Sequence, residues 1–208
     1  MRTEQTHPAL QWQRFARAIP ADLRGRTVLD IGCGSGFFSI EMKRRGADRV
    51  VAIDLDDHAL SQARSAAEAN RVSLEMHNLS VYDVARLGER FDVVLFIDVL
   101  AGLRYPLLAL DLLQQHAVKD IFVFQTILRG PGEAESPAHD YPLSETAVFE
   151  RPGFPATYFI ENCYGGRHDI CWIPNEACTA AMLRSAGFVI LERPDEEVFL
   201  CRRACDRG

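Results

Sequence analysis

Two carboxylates and three glycines lie close together in the segment VLDIGCGSGFFSIEMKRRGADRVVAIDLD, residues 28–56. Asp30 precedes the first glycine by two residues, and Asp54 ends the next apolar stretch. A carboxylate in the first position attracts a cationic group such as an amino-acid ammonium, directly or through water. A carboxylate in the second position accepts hydrogen bonds from both hydroxyls of a ribose. These residue types favour a ligand that combines an ammonium with a ribose.

The glycine spacing distinguishes two classes of cofactor. A dinucleotide-binding turn reads G-x-G-x-x-G, because its third glycine packs the helix on the strand and the helix N-terminus receives a pyrophosphate. Here Phe37 or Ser39 stands where that third glycine should be, and an anionic pyrophosphate gains nothing from Asp30. The sequence therefore predicts S-adenosylmethionine (SAM), which has an ammonium, a ribose and no phosphate. The predicted binding residues at this turn are Asp30, Gly32, Cys33, Gly34, Gly36 and Asp54.

A βαβ unit must hold these residues in place. Residues 28–31 are typical of a buried parallel strand, and the helix predicted over Phe37–Arg45 ends at Gly46. The next strand covers residues 49–53 and leads into Asp54. In such a unit the ligand lies at the carboxyl ends of the strands.

The rest of the chain continues the alternation of helix and strand. An amphipathic N-terminal helix is predicted over residues 8–19, because Trp12, Phe15 and Ile19 share one face. Further helices are predicted over residues 58–69, 106–116 and 175–186, and further strands over 72–76, 91–97, 121–125, 188–192 and 197–202. This order predicts an α/β fold with a Rossmann-like, seven-stranded, mostly parallel sheet and helices on both faces. The last hairpin should make one strand antiparallel, and we interpret residues 1–208 as one domain.

A long irregular segment, residues 128–172, interrupts the alternation after the fifth strand. It contains five prolines and five glycines, and so long a loop inside a compact domain is often a lid or binding loop. We predict that it caps the substrate, with a short hairpin around residues 156–160. For the proton of a hydroxyl substrate, His168 beside Asp169 is the first predicted general base and His139 the second. Each can also be an ordinary loop residue, and a carboxylate substrate needs no base.

The run D-I-G-C-G-S-G at residues 30–36, followed by V-A-I-D at residues 51–54, resembles the cofactor motif of class I SAM-dependent methyltransferases. Four other segments resemble, more narrowly, bacterial methyltransferases related to the tRNA wobble-uridine carboxymethyltransferases. These segments are WQRF at 12–15, IPADL at 19–23, EMKRRGA at 41–47 and WIPN at 172–175. The resemblance implies a SAM-binding enzyme of the class I fold whose N-terminal helix helps to cover the cofactor.

The adenine of the cofactor should lie beyond the second and third strands. By the same resemblance, the position that faces the adenine amine falls on Ser80, with the backbone of Val81 beside it. Leu55, just after the predicted ribose-binding carboxylate, offers an apolar edge to the base. These three residues complete the predicted cofactor site on this side.

Asp98 ends the fourth strand, where the methionine arm of the cofactor and the methyl acceptor should meet. Its carboxylate can hydrogen-bond the ammonium. Relatives often read G-V-L-Y-H-L at this place, whereas this chain has Ala101 and Gly102 instead of the Tyr and His. The departure predicts either extra room for the substrate or a lost activity.

The composition bears on partners and location. A net charge of −6 argues against a nucleic-acid partner, which usually requires a basic face. No apolar run approaches the length of a membrane span, and no apolar signal region is seen at the N-terminus. The six cysteines include no C-x-x-C pair, so we expect reduced thiols and a cytoplasmic protein. Four Cys and His residues equal the number of ligands in a zinc site, but their spacing matches no standard zinc finger, so no metal is predicted. They are Cys163, His168, Cys171 and Cys178.

The sequence as a whole predicts a SAM-dependent methyltransferase that acts on a small molecule, at an oxygen atom. Arg129 and Arg167 could hold an acidic group of that substrate. Methylation of a tRNA uridine derivative stays open as an alternative because of the narrower resemblance. A SAM-binding sensor without transfer activity also stays open, and Ala101 and Gly102 favour it. The chain is expected to be a monomer or a homodimer.

Overall fold

The computed structural model describes residues 8–132 and 138–204. Nine strands lie within them: β1 Thr27–Ile31, β2 Arg49–Asp54, β3 Glu75–Asn78, β4 Phe91–Ile97, β5 Val118–Gln125, β6 Thr157–Phe159, β7 Trp172–Pro174, β8 Phe188–Asp195 and β9 Val198–Arg203. Seven of them form one sheet in the order β3-β2-β1-β4-β5-β9-β8. β1 to β5 pair in parallel, whereas β9 is antiparallel to both of its neighbours. The predicted α/β sheet with one antiparallel strand is confirmed.

Five α-helices connect the strands: α1 Pro8–Phe15, α2 Phe37–Arg44, α3 Asp57–Ala69, α4 Pro106–His116 and α5 Glu176–Ser185. Side-chain caps fix where two of them begin. Asp56 accepts a hydrogen bond from the His58 amide at 2.8 Å, and Asn175 accepts one from the Cys178 amide at 2.8 Å. Such caps satisfy amide groups that the first helical turn leaves unpaired.

The core lies on both faces of the central strands. In β4, Val94 and Phe96 pack in the cluster that contains residues of α4 and α5, while Val93 and Leu95 pack in the cluster that contains Phe15 of α1. All four β4 residues are fully buried, as is expected of a central parallel strand covered by helices on both sides. The carboxyl ends of these strands therefore meet on one rigid edge.

Several predicted boundaries are corrected by the structure. The first helix ends at Phe15 and continues only as a 3₁₀ turn, Ala16–Ala18, because the residue before Pro20 must leave the helical conformation. The third strand covers Glu75–Asn78 instead of residues 72–76, since its hydrogen bonds to β2 set its register. β5 begins three residues before its predicted start, β8 ends three residues after its predicted end, and β9 is shifted by one residue.

The segment after β5 has structure of its own. β6 and β7 pair antiparallel, with Tyr158 opposite Ile173, so the hairpin predicted around residues 156–160 has its partner strand in β7. A 3₁₀ turn spans Thr146–Glu150. The predicted cap includes residues 133–137, which lie outside the described residues. In the part of the chain that the structure describes, no helix is long and apolar enough to cross a membrane.

Candidate functional site

The glycine loop, residues 32–36, connects β1 to α2. Gly32, Gly34 and Gly36 have φ angles of 66°, 52° and 79°, which side chains rarely adopt. A Cβ at Gly32 would lie 2.6 Å from Val99 Cγ2, whereas a Cβ at Gly34 would meet no atom within 4 Å. The backbone at Gly34 therefore faces open space, where a ligand can approach it closely.

Asp54 lies at the end of β2 and holds this loop. Its Oδ2 accepts a hydrogen bond from the Gly34 amide at 2.9 Å, and its Oδ1 accepts one from the Asp56 amide at 3.0 Å. Each carboxylate oxygen can accept a second hydrogen bond. Asp54 thus shapes the loop and keeps two oxygens able to receive the hydroxyls of a ribose.

Asp30 lies behind the glycine loop. Its side chain is 1% exposed, and its Oδ2 accepts a hydrogen bond from Ser39 Oγ at 2.5 Å. Burial raises the pKa of Asp30 to about 7, against the opposing effect of the Ser39 hydrogen bond. Because Asp30 does not line the cavity in front of the loop, an interaction with a ligand ammonium would pass through the loop or a water molecule.

A cavity of about 570 Å³ opens in front of the glycine loop. Its other walls include Gln11 of α1, Asp98 after β4, Gln125 at the end of β5, and Arg167 of the cap. This volume lies in the range of small-molecule sites. The glycine loop, α1, the carboxyl ends of β4 and β5 and the cap therefore converge on one space.

Asp98 and the cap are joined by an ion pair across this cavity. Asp98 has a φ angle of 57°, and its Oδ2 lies 2.7 Å from Nη1 of Arg167, whose Nη2 lies 2.7 Å from Oδ2 of Asp169. Burial raises the pKa of Asp98, although Arg167 acts in the opposite direction. The hydrogen bond from Arg167 lowers the pKa of Asp169. Arg167 therefore already has two carboxylate partners and is not a free cation for an acidic substrate.

Another part of the cavity wall contains polar residues that were not predicted as site residues or had no predicted partner. Gln125 Nε2 donates to Glu197 Oε2 at 3.4 Å, and Arg129 Nη1 lies 3.8 Å from Glu197 Oε1. Arg129 Nε donates to Tyr164 Oη at 2.8 Å. Glu197 lies in the turn between β8 and β9, and only the pairing of β9 with β5 brings it to the cavity. No local pattern in the sequence could have indicated this.

Comparison with known proteins agrees with this geometry. Residues 28–114 match the model of a family described as a methyltransferase domain. The chain is also similar to a tRNA U34 carboxymethyltransferase from Azotobacter vinelandii, with 30% identity over 181 residues that cover 86% of this chain and 50% of that protein. The chain contains a class I SAM-dependent methyltransferase domain.

Two further similarities place this methyltransferase domain among known proteins. A ubiquinone biosynthesis O-methyltransferase from Cereibacter sphaeroides is 41% identical over 90 residues, which cover 43% of this chain and 36% of that protein. The chain thus spans half or less of the length of these curated relatives. The N-terminal domain of EvdMO1, solved with SAH bound, superposes with a TM-score of 0.64 at 20% identity, covering 97% of this chain and 82% of that chain. The last similarity shows the fold.

The predicted general bases do not line the cavity of the methyltransferase domain. His168 and His139 are both exposed, and the cavity walls include neither of them. Asp169 is exposed and hydrogen-bonded to Arg167. Their catalytic role stays a prediction. Within residues 8–132 and 138–204, no three His, Cys, Asp or Glu side chains converge as metal ligands.

The predicted adenine side lies beyond the cavity walls. Leu55 is 66% exposed, next to Asp54. Ser80 accepts a hydrogen bond from the Tyr82 amide at 3.2 Å and so begins the 3₁₀ turn Val81–Leu87. Val81 itself is buried. Contact of these residues with adenine stays a prediction.

Ala101 and Gly102 have a structural explanation in this domain. The Ala101 carbonyl accepts a hydrogen bond from the Cys171 amide at 2.7 Å, and a Cβ at Gly102 would lie 3.0 Å from the Asp169 carbonyl oxygen. The backbone of the cap thus fills the place where larger side chains would stand. The two expectations for these small residues, extra room for the substrate or a lost activity, stay predictions.

Proposed function

We propose that this chain transfers the methyl group of SAM to an oxygen atom of a small molecule. The cavity carries the proposal, because the glycine loop forms one wall and the cap another, so that cofactor and acceptor can meet in one space. The similarity to a ubiquinone biosynthesis O-methyltransferase supports oxygen as the acceptor atom. The match of residues 28–114 to a methyltransferase domain supports the reaction type.

The residues present fit SAM. The open space before Gly34 receives a ligand at the backbone, and Asp54 offers two oxygens to a ribose. The charged side chains that line the cavity are balanced, with two carboxylates and two guanidinium groups, so no net positive charge opposes a cationic cofactor there. They are Asp98 and Glu197 against Arg129 and Arg167. When bound, SAM supplies an electrophilic methyl group attached to a positively charged sulfur.

The protein then contributes position, exclusion of water and removal of a proton. Aligning the acceptor with the methyl group can lower the barrier by several kcal/mol. The cap, held to Asp98 through Arg167, forms part of the cavity wall and so limits the access of water. For the proton of a hydroxyl acceptor, His168, His139 and Asp169 are the bases proposed from the sequence. Glu197 is a further candidate, because its carboxylate lies in the cavity wall.

Methylation of a tRNA uridine derivative is the second candidate function. The similarity to a tRNA U34 carboxymethyltransferase favours it, since that similarity extends over 86% of this chain. The net charge of −6 disfavours a polyanionic partner. We therefore place it behind the small-molecule proposal. A SAM-binding sensor is the third candidate, because Ala101 and Gly102 stand where relatives have a Tyr and a His.

Methyl-labelled SAM distinguishes these functions. The purified protein is incubated with labelled SAM and, in parallel, with small metabolites, RNA and protein from a cell extract. We expect label in the metabolite fraction, in a product that is stable as an O-methyl compound. Label in RNA alone would establish the second candidate. Tight SAM binding in calorimetry without transfer to any fraction would favour a sensor.

The single-domain interpretation, the cytoplasmic location and the monomeric or homodimeric state remain proposals drawn from the sequence. Size measurement in solution tests the last of these. One observation bears on the proposed location, because five cysteines among the described residues have free thiols. They are Cys33, Cys163, Cys171, Cys178 and Cys201.

A further inference from the structure

Some polar groups in the cavity wall have all their hydrogen bonds, and others lack them. Gln125 is 5% exposed and lines the cavity, yet its Oε1 is buried and has no hydrogen-bond partner among the described residues. A buried acceptor without a donor costs about 1–3 kcal/mol. This oxygen is the unpaired polar atom that a ligand can satisfy here.

The orientation of the Gln125 amide follows from its neighbour. A carboxylate only accepts hydrogen bonds, so the NH₂ group of Gln125 faces Glu197 Oε2, at 3.4 Å, and the carbonyl oxygen points away from it. The terminal torsion of a glutamine is soft, so a small rotation turns Oε1 toward a donor in the cavity. Gln125 thus calls for a hydrogen-bond donor, not an acceptor.

Glu197 is also short of donors. Its carboxylate lies 3.6 Å from Arg14 Nη1 and 3.8 Å from Arg129 Nη1, and the Gln125 contact is 3.4 Å long. All three separations are longer than the usual length of a charge-assisted hydrogen bond. Because a carboxylate accepts about four hydrogen bonds, Glu197 has capacity left on the cavity side. Two neighbouring acceptors therefore face the ligand.

The charges around them disfavour an anionic ligand. Arg129 is compensated by Glu197 and also donates to Tyr164 Oη and the Leu128 carbonyl. Arg167 is bound by Asp98 and Asp169. Both cavity guanidinium groups are thus engaged, while Ile127 and Ile170 supply apolar wall.

From these contacts we infer that Gln125 and Glu197 form the subsite that binds the methyl acceptor. The methyl acceptor is then an uncharged molecule with an apolar body, bound through a hydroxyl group. The inference rests on the proposed function. It names the class of substrate and the two residues that select it. An acidic substrate held by Arg129 and Arg167, the other chemistry that these residues suggest, would have to break existing ion pairs.

Three small probes of similar shape test the subsite. Phenol has a hydroxyl group, anisole has a methoxy group instead of the hydroxyl, and benzoate has a negatively charged carboxylate. Their dissociation constants are measured on the full chain saturated with SAH, by NMR titration of the Gln125 side-chain amide. We expect phenol to perturb that amide and to bind about fivefold or more tightly than anisole, the ratio for one net hydrogen bond. Benzoate should bind more weakly than phenol.

Variants assign the preference to the two residues. Gln125→Met keeps the length of the side chain, and Glu197→Gln keeps its shape without the charge. In both, the affinity for phenol should fall to the level of anisole, measured by ligand-detected NMR, while SAH affinity stays unchanged. Gln115→Met, on the exposed surface of α4 away from the cavity, is the matched control and should behave as the unmodified protein.

Several results would overturn the inference. They are equal binding of phenol and anisole to the unmodified protein, tighter binding of benzoate, an unperturbed Gln125 amide, or a phenol preference that persists in both variants. The comparison in the unmodified protein decides the matter even if a variant does not fold. Failure of the proposed function is seen separately, as absence of SAM and SAH binding in calorimetry.

Discussion

Asp30 should make the stability of this protein depend on pH in an unusual direction. Its carboxyl is 1% exposed, and burial raises its pKa from the ordinary 3.8 to about 7. The folded state therefore holds a proton between about pH 4 and pH 7 that the unfolded state has lost. By linkage, the protonated Asp30 carboxyl contributes fully to the free energy of unfolding below the pKa of the unfolded state. This contribution is lost as the pH rises through about 7.

The size of the effect follows from the difference between the two pKa values, which corresponds to roughly 4 kcal/mol. About 3 kcal/mol of this should be lost between pH 5 and pH 8. Asp30→Asn has no proton to lose, while its amide oxygen can still accept from Ser39 Oγ. The free energy of unfolding of the variant minus that of the unmodified protein should therefore rise by about 3 kcal/mol over this range.

Urea unfolding at several pH values, followed by circular dichroism, measures this difference. Asp92→Asn is the matched control with the opposite sign. Burial acts to raise the pKa of Asp92, but hydrogen bonds from Lys119 and Thr27 lower it overall. This variant should therefore lose stability relative to the unmodified protein as the pH rises through the acidic range, up to about pH 5. A difference for Asp30→Asn that stays constant from pH 5 to pH 8, or falls, would refute the buried protonated carboxyl.

Three further predictions concern ligand binding and transfer. Asp54→Ala removes the acceptor of the Gly34 amide and of the ribose, so SAM affinity in calorimetry should fall about 30-fold or more, corresponding to ~2 kcal/mol; unchanged affinity in a folded variant would remove Asp54 from the site. Gly34→Val puts a β-branched side chain at φ 52° into the open space before the loop, and SAM binding should be undetectable while NAD binding is absent in both proteins. Glu197→Gln should slow methyl transfer to a hydroxyl acceptor by at least about 100-fold with SAM affinity retained, whereas His168→Ala should have little effect. A large loss of rate in His168→Ala and none in Glu197→Gln would instead identify His168 as the general base.

The sequence by itself determined the cofactor end of this protein. The spacing of Asp30, the three glycines and Asp54 is a local property of one βαβ unit, where backbone conformation and hydrogen-bond chemistry depend on residues less than thirty apart. The continuous apolar run at residues 93–97 likewise predicted a central strand, because burial on both faces leaves that signal in the sequence. These elements formed as predicted.

Boundaries at the sheet edge were less accessible to the sequence. β3 is short and its residues are mostly not buried, so its register depends on hydrogen bonds to β2 instead of on a hydrophobic pattern. The N-terminal helix has a continuous apolar face through Ile19, but Pro20 ends the helical conformation earlier.

Only the tertiary structure decided the acceptor end. Gln125 and Glu197 are 72 residues apart and meet because β9 inserts between β5 and β8 in the antiparallel direction. Arg167 meets Asp98 across 69 residues because the cap folds back over the strand ends. Contacts at such separation leave no periodicity in the chain, since each depends on how whole elements pack, and the packing also turned His168 away from the cavity and Asp30 behind the loop.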